Sequence, residues 1–148
     1  MASARLLRRI LGIRQMEEDQ SRRLLELAVG ELTQLETALS QAKQRESTGR
    51  GLVRSSASSG EVLDRIAGLE EARSAASRAA ALEPRIRKAE ERATSLRQDF
   101  LARRTARLQA ETLADAEAAR EAAASERKGQ QALDDWYLNS RKFGKDSN

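Results

Sequence analysis

The sequence predicts an all-α protein: an elongated antiparallel two-helix coiled-coil hairpin with a short helical and loop excursion at its tip. Two apolar stripes and a break between them carry the prediction. Leu25, Ala28, Leu32, Leu35, Leu39 and Ala42 alternate steps of three and four, which draws one apolar line along a helix and demands a partner helix to cover it. Leu82, Ile86, Ala89, Ala93, Leu96 and Phe100 repeat the spacing after a Gly/Ser-rich interruption. Composition agrees, because Ala, Glu, Lys, Leu and Arg supply 88 of the 148 residues, the usage of coiled coils and long helices. With 39% hydrophobic and 3% aromatic residues, the chain can fill a thin seam but not a core of ordinary thickness.

The elements follow in order within a single coiled-coil domain spanning 1–148. A first arm is expected over about 4–46. Its apolar face opens with Leu7, Leu11, Ile10 and Ile13, and residues 17–23 are polar, either a break in the seam, a tolerated polar stretch, or a functional surface. Residues 47–60 hold Gly49, Gly51, Gly60, Ser47 and a cluster of four serines before Gly60, and read as a loop, since each helical glycine costs about 1 kcal/mol relative to alanine. Ser58 followed by Glu61 has the spacing of a capping box that restarts a helix. A tip helix is expected over about 61–82 and a second arm over about 84–141, with Pro84 either opening that arm or kinking a continuous helix. Past Phe100 the seam is expected to shift through Leu101 and Leu108 and to thin over Ala114–Ala124. Leu133, Trp136 and Tyr137 restore bulk, with one of the two aromatic rings expected inside and the other facing a partner. Residues 142–148 read as a disordered tail.

Charge is distributed in blocks. Residues 1–16 sum to +4, 17–46 to −3, 85–107 to +5 and 108–126 to −4. Opposite signs across a seam set the register of antiparallel helices. Placing 1–16 against 108–126 makes facing position numbers sum to about 130, leaves 47–82 as a distal tip, and gives an arm on the order of 65 Å long.

Several functions are excluded. Without His or Cys there is no triad, no thiol nucleophile, no disulfide and no zinc site. Adjacent carboxylates such as Glu70 and Glu71, Glu90 and Glu91, or Asp134 and Asp135 diverge by about 100° on a helix and do not converge on a substrate. The glycine-rich stretch lacks the Gly-Lys-Ser/Thr ending of a phosphate loop. The chain is therefore expected to be no enzyme and to need no cofactor. Acids interleave with the basic residues and aromatics are scarce, so nucleic acid is not an expected partner. No stretch approaches the roughly 20 apolar residues of a membrane span. The basic segment 1–16 is read as part of the mature first helix, not as a targeting presequence.

Both termini resemble the flagellar export protein FliJ family. The opening run Arg5-Leu6-Leu7-Arg8-Arg9-Ile10-Leu11-Gly12-Ile13-Arg14, followed by Glu17-Glu18 and Leu24 to Leu32, is similar to the start of that family. The closing run Glu126-Arg127-Lys128-Gly129-Gln130-Gln131-Ala132-Leu133-Asp134-Asp135-Trp136, with Arg141, is similar to its end. The likeness covers roughly the first 30 and last 25 residues. Gln131 stands where the family commonly has Lys, Gly129 is unusual inside a helix, and the family's N-terminal aromatic residue is missing.

The resemblance implies a cytoplasmic coiled coil akin to the central stalk of rotary ATPases, at the cytoplasmic face of the inner-membrane export apparatus. It implies three partners: the hexameric export ATPase, the cytoplasmic domain of the export gate, and export chaperones. Membrane association would come only through those partners. The residues expected to face the ATPase ring are Arg5, Arg9, Arg14, Glu18, Gln131, Asp134, Asp135 and Trp136. Two other readings remain: the stalk of a virulence-type injectisome, and a structural or membrane-surface coiled coil with no ATPase partner, held by the basic turn with Leu6, Leu7, Ile10, Leu11 and Ile13.

Overall fold

In the computed structural model, which describes residues 2–145, two long helices pack against each other and no strand occurs among the described residues. Helix α1 runs Ala2–Ser59 and α2 runs Val62–Lys145. The packing gathers into two compact units. One joins α1 up to Asp19 with α2 from Ala102 onward, and the other spans Gln20–Leu101.

The Gln20–Leu101 unit contains the turn. Only Gly60 and Glu61 separate the helices, and Gly60 takes φ +75°, a conformation that an L side chain resists. The Gly60 N–H donates to the Ser56 carbonyl at 2.8 Å, closing α1, and the Arg65 N–H donates to the Glu61 carbonyl at 3.2 Å, opening α2. Glu61, not Ser58, therefore caps α2, and the Ser58 hydroxyl instead bonds back to the Ser55 carbonyl within α1. The Asp64 carboxyl hydrogen-bonds that of Glu61 and repels its charge, so Glu61 titrates above its ordinary range. That pair favours the turn in acid and opposes it once both groups ionise.

Along α1 in this unit, Ser21, Ala28, Leu35, Ala42, Gly49 and Ser56 recur every seven residues and all are buried. Leu25, Leu32, Leu39, Glu46 and Val53 form the companion series and are half-buried. Helix α2 answers with Gly68, Ala72, Ala75, Ala79, Leu82, Ile86, Ala89, Ala93, Leu96 and Phe100, each buried or half-buried. Leu35, Leu82, Ile86 and Ala89 form the densest cluster, with Leu32, Ala38 and Leu39 packed on it. The Arg22 guanidinium lies 5.7 Å from the centre of the Phe100 ring, covering the last aromatic of the seam.

The segment 47–60 is thus helical through Ser59, not a loop. Gly49 is a seam residue: a Cβ on it would lie 2.7 Å from the Gly68 carbonyl oxygen and 2.8 Å from the Ala72 nitrogen. The two backbones approach so closely here that only glycine fits, and that packing outweighs poor helix propensity. No separate tip helix forms either, because α2 continues through Pro84. Pro84 and Ala80 are exposed, so the carbonyl that the proline leaves without its N–H partner reaches water.

In the other unit the same spacing continues with different chemistry. Ala4, Ala110 and Ala114 are buried, while Leu7, Leu11 and Arg14 are half-buried. Glu18 is only 4% exposed and pairs with Arg107 at 2.5 Å. Arg107 also reaches Glu111 at 2.8 Å, and Glu17 joins Arg14 at 3.0 Å and Arg103 at 3.2 Å. The Glu18 hydrogen bond raises the Arg107 pKa against the opposing effect of burial. The polar stretch 17–23 is therefore an ionic layer of the seam. That layer keeps the spacing in register, so the seam does not shift onto Leu101 and Leu108, which stay exposed.

Facing pairs in both units centre within two residues of the Gly60–Glu61 turn: Gly49 with Gly68, Arg22 with Phe100, Glu17 with Arg103, Glu18 with Arg107. The expected sum of about 130, drawn from setting the charge block 1–16 against 108–126, put that centre four to five residues too late, and with it the long tip at 47–82. Residues 142–145 belong to α2, and the rest of the expected disordered tail, 146–148, lies outside the described residues.

Two outcomes follow. Gly49→Ala should lower the melting temperature by an overpacking cost of about 1–3 kcal/mol, whereas Gly51→Ala, with nothing within 4 Å of its new Cβ, should raise it slightly. Equal increases for both would refute the close approach. Glu18→Leu alone should destabilise the fold by leaving Arg107 with only the more exposed of its two carboxylate partners, and adding Arg107→Leu should recover most of the loss in the same thermal melt.

Candidate partner-binding surface

The unit containing the start of α1 ends asymmetrically. Glu121 faces the first turn of α1, where the Ala4 N–H and the Arg8 charge both draw its carboxylate. That turn contains no acidic residue of its own, so the opposite helix supplies the negative charge its unsatisfied N–H groups favour. Beyond Glu121, every residue of α2 from 122 to 145 is exposed.

This uncovered length of α2 is not uniformly polar. Trp136 is 68% exposed and Phe143 79%, and Leu133, Tyr137 and Leu138 are exposed with them. Leu133, Trp136, Tyr137 and Phe143 recur at helical spacing and share one stripe with Ser140. The seam spacing, carried on past Glu121, instead meets Ala124, Lys128, Gln131, Asp135, Leu138 and Lys142, a mostly polar series. The aromatic stripe therefore lies off the seam. It does not close the hairpin, and neither Trp136 nor Tyr137 packs internally.

Of the expected ring-facing residues, Gln131, Asp134, Asp135 and Trp136 all lie on this uncovered helix and are exposed. Arg5 and Arg9 are exposed on the first turns of α1. At 1.5 Å per residue, Gln131 stands roughly 15 Å or more along α2 beyond the level of those turns, so the two groups do not form one contiguous patch. Arg14 is half-buried and paired with Glu17. Glu18 is withdrawn from the surface entirely by its pairing with Arg107, and presents nothing to a ring.

Other apolar side chains on this unit belong to the same surface picture. Leu6, Ile13 and Met16 on α1, and Leu108 and Leu113 on α2, are exposed. Leu6 and Ile13 repeat seven apart but off the seam series of Ala4, Leu11 and Glu18, a signal available from spacing alone. Among the described residues no cluster of His, Cys, Asp and Glu gathers to hold a metal ion. No helix there is long and apolar enough to cross a membrane. Compared with protein-family models, with curated proteins and with solved structures, the chain finds no match.

Trp136 is the chain's single tryptophan, so its environment reads out directly. Its fluorescence should be that of a water-exposed indole, quenched by acrylamide nearly as efficiently as a free tryptophan derivative. A shielded, blue-shifted emission from the isolated monomer would contradict the uncovered helix.

Proposed function

We propose that this chain is a non-catalytic coupling stalk of the bacterial flagellar type III export apparatus. It engages the hexameric export ATPase through the uncovered end of α2 and links that ring to the export gate and to substrate chaperones at the cytoplasmic face of the inner membrane. One observation carries the reading: the residues that resemble the FliJ family's C-terminal motif, Gln131 to Trp136, stand exposed on a stretch of α2 that packs on no other helix among the described residues. Trp and Tyr are favoured interface anchors, and an exposed pair beside Asp134 and Asp135 supplies an apolar contact with a charged edge. The two-helix hairpin and the basic first turns of α1 support the same reading.

In this mechanism nothing is transformed on the stalk. Its uncovered helix contacts ring subunits unequally, because a single helix cannot present the same face to each member of a hexamer. Unequal contacts favour some subunit conformations over others, which biases assembly or ATP turnover. Arg5 and Arg9 would add a second, electrostatic contact.

The test is the ATP hydrolysis rate of the cognate export ATPase with and without this protein. The wild-type chain should stimulate turnover or hexamer formation, and the double variant Asp135→Ala with Trp136→Ala should lose most of that effect while keeping its helicity. Glu18→Gln should retain the effect, since Glu18 is internal. A folded protein that neither binds nor alters the ATPase would sink the proposal. Flotation with anionic liposomes would then favour the membrane-surface alternative.

A further inference from the structure

Near the turn, the seam is built from Gly49, Ser56, Gly68 and Ala72, and the larger apolar side chains stand outside it. Val62, Leu63, Ile66 and Leu69 are all exposed, Leu63 by 82% and Leu69 by 51%. Val62, Ile66, Leu69 and Arg73 are spaced four, three and four apart, so they share one face of α2 roughly three turns long. Where that face meets the flank of α1 there is a groove of about 660 Å³, lined by Arg50, Val53, Arg54, Leu69, Ala72 and Arg73. Its floor is aliphatic, half of its lining residues are arginine, and none is acidic. Arg50 is held by Glu46 at 2.6 Å, but Arg54 and Arg73 make no ion pair with any described residue.

We propose that this groove docks an acidic amphipathic helix from a partner protein. An apolar anchor of that helix sits on Val53, Leu69 and Ala72, its carboxylates take the guanidinium groups of Arg54 and Arg73, and the next turns of its apolar face lie along Ile66 and Val62. Unpaired guanidinium groups flanking an aliphatic floor select carboxylates, because Arg presents fixed donors that match them two at a time. A helix laid in an apolar groove uses anchors at this spacing. Nucleic acid fits poorly, since no aromatic lines the groove for base stacking. The proposal stands on the groove alone and does not depend on the stalk reading.

Fluorescence anisotropy with the full chain tests it. The probe is a fluorescein-labelled designed helix of about five turns, with leucines on one face and glutamates elsewhere. Two controls replace the glutamates by lysine or the leucines by alanine. The acidic amphipathic probe should bind saturably and both controls should bind at least about tenfold more weakly, a difference of about 1.4 kcal/mol. Arg54→Glu with Arg73→Glu, and separately Leu69→Ser, should each cost a similar factor, with circular dichroism and melting temperature unchanged because these side chains are exposed. Absence of saturable binding, equal binding of the acidic and lysine probes, or indifference to the groove variants would each overturn the proposal. So would two alternative occupants: phosphatidylglycerol vesicles, or a second copy detected by sedimentation velocity, bound through this groove in preference to the acidic probe.

Discussion

The two-residue reversal at Gly60 and Glu61 governs the packing. A left-handed glycine lets α1 end and α2 begin without a spacer, so the turn determines which residue faces which across the seam. Every later layer must then suit that pairing. Close to the turn the layers are glycine, serine and alanine, where Gly49 and Gly68 bring two backbones nearly into contact. Leu35, Leu82 and Ile86 supply bulk further along. Because seam positions alternate steps of three and four, an insertion of one residue on either side of the turn would move an entire arm's apolar stripe off its partner.

The charged layer around Glu18 shows what such a pairing can tolerate. A buried ion pair adds little net stability, since desolvating two charges offsets their attraction, but a mispaired partner leaves one charge buried and alone. Glu18 with Arg107, braced by Glu111, and Glu17 with Arg103 and Arg14 therefore act against wrong alignments more than they strengthen the right one. In a seam otherwise rich in alanine, slippage by seven residues would exchange one small side chain for another at modest cost. The ionic layer makes such a slip expensive, because acids and arginines would no longer meet.

The seam was legible because it is periodic: the twelve residues that define the two stripes are all buried or half-buried. What misled the reading was local propensity. Two glycines and a run of serines resemble a loop, and nothing in a single strand of sequence reveals that Gly49 will meet Gly68. Yet Gly49 and Ser56 continue the seven-residue series from Ala42, so spacing carried the correct signal and composition hid it. Glu18 was misplaced for a related reason. It lies seven residues before Leu25, a seam position, but its charge and its place in a terminal motif suggested a surface contact. The aromatic cluster at the end of α2 drew attention by residue type, and its distance from the seam series was the sign that it does not pack internally. Partners leave a fainter trace, since an exposed stripe specifies chemistry but not the protein that covers it.

An uncovered helix such as 122–145 needs a reason to remain helical. A helix standing alone in water is opposed by the cost of nucleating its first turn. Here that cost does not arise, since α2 enters the segment already formed by its packing up to Glu121. Continuing it requires only favourable propagation, which Ala122 to Ala124, Glu126, Arg127, Lys128 and the glutamines supply. Gly129 weakens the run at one point without ending it. The polar seam positions past Glu121 also mean that a longer α1 would find no apolar track to follow. The sequence thus keeps this segment helical, with its apolar side chains on a face other than the one the seam spacing would present.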